Sequence, residues 1–204
     1  GTLMRTLLAD AGIDGTGLIT RDGYTTTTKL RVIGSRQQMM RLDFEEVTPF
    51  RDDEANLLIT WLMERIDDGL DGVILSDYHK GVLTDDVAFR VMALLKSHHI
   101  PVLVDPKGSD WTKYNGADFV TPNMKELSEC VGRTVENEGD AVVAAAKDIH
   151  ERYDFANLMV TRSEKRITVI SHDGKVWNNP AMAQEVFDVS GACLLYTSPS
   201  PRDS

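Results

Sequence analysis

Four short apolar runs each end in a polar cluster, and the clusters hold residue types that handle phosphate. Ser76-Asp77-Tyr78-His79-Lys80-Gly81 follows the run beginning at Gly72, and Asp105-Pro106-Lys107-Gly108 follows Pro101 to Val104. Thr121-Pro122-Asn123-Met124-Lys125-Glu126 follows Asp118 to Val120, and Thr161-Arg162-Ser163 follows Asn157 to Val160. Carboxylates, lysines, an amide and hydroxyls in one place suit a phosphorylated ligand with a metal ion: lysines meet phosphate charge, and carboxylates hold hard cations. The pattern points to a site and leaves the reaction open.

Each cluster also has a purely local reading. Asn123 with Glu126 has the spacing of a capping box, in which the amide takes a backbone N–H and the Glu reaches back. Taken alone, capping is the stronger reading of that pair. Asp77 and Asp105 suit turns, and Asp105-Pro106 is an ordinary turn initiator. Lys80 and Lys107 could be solvated charges, and Thr161 and Ser163 could cap a loop. Recurrence at four consecutive run ends favours a site.

The elements that must position these residues follow from periodicity. The four runs read as strands near 73–76, 101–105, 118–121 and 157–161. Between them lie helices from Thr84 to about His98, Asn123 to Val131 and Glu138 to Tyr153. Such alternation predicts an α/β fold with a mostly parallel sheet and helices on both faces, and ligands in such sheets bind at the carboxyl ends of the strands. Arg166 to Ser171 and Lys175 to Asn178 read as a strand pair around Asp173-Gly174. Upstream, Gly1 to Ala11 reads as a helix with Leu3, Leu7 and Leu8 on one face, and Asp52 to Asp68 as another with Leu58, Leu62 and Ile66. Thr25 to Ile33 and Met39 to Phe44 are candidate strands, with Gly34 and Ser35 as turn residues.

The 204 residues suffice for one α/β domain. A net charge of -10 offers no basic surplus to neutralise a nucleic acid backbone, though a few local groups can hold a nucleotide. No apolar run nears the ~20 residues a membrane span needs. Cys130 and Cys193 are the two cysteines, without metal-ligand spacing, which fits a reducing cytoplasm. None of the five histidines stands at metal-ligand spacing to another. Ser190-Gly191 lacks the full G-x-S-x-G of a nucleophile elbow. With no leader and no initiator methionine before the first helix, the expectation is a chain cut inside a domain. Cys193 to Ser204 has prolines, serines and no helical period, and is read as translated adapter read-through, with a disordered tail as the alternative.

Several segments together resemble one family. They are Thr27-Thr28-Lys29-Leu30-Arg31-Val32, Gln37-Gln38, Arg41 to Glu46, Leu75 to Tyr78 with Lys80-Gly81, Asp105 to Gly108, Thr121 to Asn123, Val160 to Glu164 and Gln184 to Val186. In order and register they are similar to the D-glycero-β-D-manno-heptose-7-phosphate kinases of the ribokinase (PfkB) superfamily. The resemblance runs from near residue 1 to Ala192. It implies a ribokinase-like three-layer sandwich with a small β lid over residues 25–44, and residues 193–204 outside the domain. It implies ATP-dependent phosphorylation of a phosphosugar, with Mg²⁺, in ADP-heptose and lipopolysaccharide core biosynthesis. It also implies a homodimer through the lid strands. In many bacteria such kinases are fused to an adenylyltransferase domain.

The family's Asn-x-x-Glu motif falls on Asn123 and Glu126, which implies a place near Mg²⁺ and the ATP phosphates. Thr161 and Ser163 would lie by the nucleotide. Asp77, Lys80, Asp105 and Lys107 are candidate phosphate or substrate contacts by position. The superfamily's Gly-Ala-Gly-Asp, whose amides form an anion hole and whose Asp is the base, begins at Gly191 and Ala192. Here Cys193 and Leu194 stand at the next two positions, so the expected base is a leucine. The expectation is a kinase by descent whose present sequence is inactive. Another PfkB-type sugar kinase, or a non-catalytic nucleotide-binding or assembly module, are the alternatives.

Overall fold

The computed structural model describes residues 2–34, 37–163 and 167–179. The expectations for Ser35, Glu164, Gln184 to Val186, Gly191, Ala192, Leu194 and the segment 193–204 lie outside the described residues. The chain divides into two compact units, residues 1–69 with 79–87, and residues 70–78 with 88 onward.

The first unit holds α1 (Thr2–Asp10), an antiparallel ribbon of β1 (Thr28–Gly34) and β2 (Gln37–Phe44), and α2 (Asp52–Asp67). The strand expected from Thr25 begins at Thr28. In the ribbon Thr28 faces Phe44, Leu30 faces Leu42 and Val32 faces Met40, which gathers apolar side chains on one face. That face is exposed, as are Ile33 and Met39 at 68% and 74%. Helix α1 forms as expected but buries none of its residues, and Leu3 and Leu7 stay exposed.

Order in this unit rests on a buried carboxylate. Glu54 receives Arg21 Nε at 2.6 Å and a second ion-pair contact from Arg21 Nη2, while Arg51 N–H donates to Glu54 Oε2 at 2.8 Å. The other Arg21 hydrogens reach the carbonyls of Thr48 (3.3 Å) and Pro49 (3.1 Å). One arginine thus ties the loop after Leu18 to the entry of α2. Arg21 holds the Glu54 carboxyl down to about 2, and the Arg51 amide adds to the effect.

The second unit holds a six-stranded sheet in the order β3 (Val73–Ser76), β4 (Val102–Asp105), β5 (Phe119–Val120), β6 (Asn157–Thr161), β7 (Ile167–Ser171), β8 (Val176–Asn179). The first four are parallel, and β7 and β8 continue antiparallel, as the Asp173-Gly174 turn requires. α3 (Asp85–Ser97), α4 (Met124–Val131) and α5 (Gly139–Arg152) fall in the crossovers. Helices α4 and α5 pack on each other, and α4 packs on β6. Along β4, β6 and β7 alternate residues (Val102, Val104, Leu158, Val160, Thr168, Ile170) are buried and those between them are half-buried. Val142, Ala145, Ala146 and Ile149 form the buried stripe of α5 at helical spacing.

Candidate functional site

Parallel register brings the ends of β3 to β6 to one sheet edge. Ser76 pairs with Asp105, Asp77 N–H donates to the Asp105 carbonyl at 3.0 Å, and Asn123 bridges to Thr161. Asp77, Asp105, Lys107, Asn123, Glu126, Thr161 and Ser163 therefore share the carboxyl edge of one sheet. Lys80 belongs to the first unit, where its ammonium pairs with Glu45.

The capping reading of Asn123 is realised. Its Oδ1 accepts from the N–H groups of Lys125 (2.9 Å) and Glu126 (3.0 Å), and Glu126 Oε2 accepts from Asn123 N–H at 3.1 Å. Gly132 closes α4 with φ 76, a left-handed conformation suited to glycine. The N-terminus of α4 thus follows the end of β5, and a helix N-terminus favours an anion.

Glu126 is only 6% exposed, and its second oxygen, Oε1, accepts from Lys107 Nζ at 2.9 Å. That contact holds the Lys107 ammonium above its ordinary range. Burial raises the Asp105 carboxyl, and the Glu126 charge raises it further, against the hydrogen bond from Ser76 Oγ at 3.4 Å. Thr161 N–H donates to the Pro122 carbonyl at 2.9 Å, which fixes the exit of β6 beside α4. Ser163 has φ 52, a backbone conformation uncommon outside glycine.

Asp77 is 5% exposed and is engaged within the protein. Its Oδ2 accepts from Lys113 Nζ at 2.7 Å and from Tyr114 Oη at 2.6 Å. Burial, then the hydrogen bond to Asp77, pushes the Tyr114 phenol well above its ordinary range, so the phenol is a donor. Tyr114 Oη also receives Lys107 N–H at 3.4 Å. The triad of Asp77, Lys113 and Tyr114 thereby pins the loop that carries Lys107. The sequence reading had not singled out Lys113 and Tyr114. Their one signal is a lysine and aromatics at 111–114, inside a loop that follows a candidate site cluster.

Arg162, named above only as part of its cluster, is buried. Its guanidinium donates to Asn137 Oδ1 (2.8 Å), the Asn137 carbonyl (2.9 Å) and Thr168 Oγ1 (3.1 Å). These contacts anchor the Thr161 to Ser163 turn. Oxygen donors dominate the Glu126 region, and one or two carboxylates beside substrate phosphates are what Mg²⁺ ordinarily takes. Glu126 and Asp105 are the carboxylates on this part of the edge, and among the described residues no group of three or more His, Cys, Asp or Glu is placed to hold a metal ion by itself.

The chain matches the family described as pfkB family carbohydrate kinase over residues 1–192. It is 44% identical over 171 residues to the bifunctional protein HldE of Shewanella sediminis, covering 84% of this chain and 34% of that protein. It is 36% identical over 192 residues to the HldE of Geobacter sulfurreducens, covering 94% of this chain and 39% of that protein. The chain thus spans little more than a third of these curated relatives. Among solved structures, Escherichia coli phosphofructokinase-2 in its tetrameric inhibited form superposes with a TM-score of 0.71 at 19% identity, covering 94% of this chain and 62% of that one. Arabidopsis thaliana ribokinase complexed with ribose and ATP gives 0.58 at 18%, covering 79% and 51%. Those structural likenesses speak for a ribokinase-like fold. With the family match across nearly its whole length and the phosphate-suited edge at β3 to β6, the chain belongs to the pfkB family of carbohydrate kinases.

Proposed function

We propose that this chain is the phosphoryl-transfer part of an ATP-dependent kinase that converts heptose 7-phosphate to heptose 1,7-bisphosphate, in the cytoplasm, on the way to ADP-heptose and lipopolysaccharide core. The observation that carries this reading is the sustained identity to HldE relatives across 84% or more of the chain. The geometry of the sheet edge supports it. In this reading Glu126, with Asp105 behind it, serves the metal, and Lys107 and the dipole of the α4 N-terminus serve phosphate. Thr161 and Ser163 stand by the nucleotide. Bound Mg²⁺ supplies charge neutralisation on the transferring phosphoryl group. The chain's own share is positioning: Asn123 fixes Glu126 through the cap, and Asp77 fixes Lys107 through Tyr114. Residues 25–44 act as the lid over the sugar, and a second copy of the chain covers the ribbon's apolar face. Among the described residues no helix is long and apolar enough to cross a membrane.

Gly191 and Ala192 would open the anion hole, with the base two positions later at Leu194. Leucine accepts no proton, and general-base assistance is worth about 10²–10⁴-fold. Cys193 stands where the backbone must approach phosphate, and a lost anion-hole donor costs ~10²–10³-fold. The two losses do not simply multiply, since the groups act as a unit. The test is a coupled ADP-release assay with heptose 7-phosphate. It compares this chain with a version carrying Gly-Asp at 193–194 followed by the family's downstream helices. Turnover only in the second is the expected result. Equal turnover refutes the base assignment. Turnover in the second version with other phosphosugars but not with heptose 7-phosphate refutes the choice of sugar.

A further inference from the structure

Both oxygens of Glu126 are in use, and the two uses differ in kind. Oε2 accepts Asn123 N–H at 3.1 Å, a contact built into the first turn of α4. Oε1 accepts the Lys107 ammonium at 2.9 Å, a contact made by a long side chain from the loop after β4. Glu126 is buried, with 8% of its side chain exposed, while Lys107 leaves 44% of its own in solvent. The carboxylate is fixed and its partner is able to leave. Asp105, the last residue of β4, stands at the same edge just before Lys107.

This matters because the site already contains one cation where the proposed function calls for another. An ammonium at hydrogen-bond distance and a divalent ion cannot share Oε1, since two cations a few ångströms apart repel. We propose that Lys107 is an exchangeable cation: it neutralises Glu126 in the empty site, yields Oε1 when a divalent cation binds, and then serves as the phosphate-binding group for the polyphosphate that accompanies the metal. The inference rests on the reading of Glu126 as a metal residue. Its physical content is linkage. Metal and polyphosphate must each strengthen the other's binding, and Lys107 carries a share of that coupling. Lysine suits the role, being a point charge on a flexible stem with no fixed fork geometry to satisfy. The triad of Asp77, Lys113 and Tyr114 holds the Lys107 backbone through Tyr114, so the exchange is confined to the side chain.

The test uses the full chain as wild type, Lys107→Met and Glu126→Gln. Mn²⁺ binding is followed by the paramagnetic resonance of the free ion, and tripolyphosphate binding by calorimetry with and without saturating Mn²⁺. Lys107→Met should bind Mn²⁺ about fivefold more tightly, the scale of a half-exposed ion pair removed from competition. It should bind tripolyphosphate about fivefold more weakly with Mn²⁺ present, and as the wild type does without it. Glu126→Gln should weaken Mn²⁺ binding. Unchanged or weaker Mn²⁺ binding by Lys107→Met overturns the exchange. So does an equal loss of tripolyphosphate affinity without metal, which makes Lys107 a static phosphate ligand. If Glu126→Gln leaves Mn²⁺ binding intact, or no variant binds Mn²⁺, the metal reading of Glu126 falls and the exchange with it. If Glu126→Gln weakens Mn²⁺ binding while Lys107→Met changes nothing, only the exchange falls. Lys107→Gln, which keeps a polar partner for Glu126, serves as the second variant and should shift Mn²⁺ affinity in the same direction.

Discussion

Asp77→Asn is the substitution whose cost the structure fixes best. Asparagine keeps the shape of the side chain and removes its charge. Lys113, with 10% of its side chain exposed, then loses the Asp77 charge, and Tyr114, fully buried, donates to a weaker acceptor. Removing one member of a buried ion pair costs ~3–5 kcal/mol. The slight exposure of Lys113 gives its ammonium a route to water, so about 3 kcal/mol is expected. Tyr114→Phe removes the hydrogen bond to the charged Asp77 acceptor and the longer one from Lys107 N–H, and leaves the ion pair, so ~1.5–3 kcal/mol is expected, set mainly by the charged acceptor. The double variant Asp77→Asn, Lys113→Met removes the ammonium as well and should recover much of the loss, because apolar replacement of a buried pair is often near neutral. Urea unfolding at neutral pH measures all three, with the buried Trp111, two residues from Lys113, as the fluorescent reporter. A cost below about 1 kcal/mol for Asp77→Asn, or a double variant less stable than Asp77→Asn alone, refutes the argument that this triad organises the loop after β4.

Three further outcomes follow from other contacts. Glu54, held to about 2 against an ordinary 4.5, contributes stability that is full above pH 4.5 and lost as the pH falls towards 2; urea midpoints across that range should fall for the wild type and stay flatter for Glu54→Gln. Asn123→Ala should lower stability by about 1 kcal/mol, a melting shift of roughly 2–4 °C, with Asn123→Asp close to wild type, because the carboxylate keeps the cap; equal losses from both would show that capping is not what Asn123 contributes. Sedimentation at micromolar concentration should show self-association of the wild type that Leu30→Lys with Leu42→Lys reduces, since both side chains lie on the exposed apolar face of the ribbon; a cleanly monomeric wild type would remove the dimer from the proposed function.

Local chemistry made much of this molecule legible from sequence. The extent of α5, the Thr84 start of α3, whose Oγ1 accepts Val87 N–H at 3.2 Å, and the Asn123 cap are short-range patterns, and each appears as read. The β4 and β6 runs announced themselves by apolar residues ending in polar clusters, and parallel pairing then had to align those clusters. Contacts that depend on how a loop folds back were not legible. Asp77 meets Lys113 and Tyr114 across 36 and 37 residues, and no periodicity links a strand end to a 3₁₀ turn. Arg51 heads α2 although arginine is no usual cap, because Glu54 and Arg21 decide that helix entry from elsewhere in the chain.

The Asn123 and Glu126 pair is a capping box in the structure, and the proposed function asks the same pair to serve a ligand. A capping box satisfies the first amides of a helix, and a phosphate site uses the field of those same amides. The spacing that signals the one therefore also signals the other. What separates a plain cap from a ligand site is what the cap's glutamate does with its remaining oxygen. In a plain cap that oxygen would face water. Here it is buried and holds a lysine supplied by the end of a neighbouring strand, 19 residues earlier in the chain. A buried carboxylate fixed by its own helix, beside a second carboxylate and under a half-exposed lysine, adds little stability that the cap has not already provided. Its chemical value lies in being able to exchange its cation.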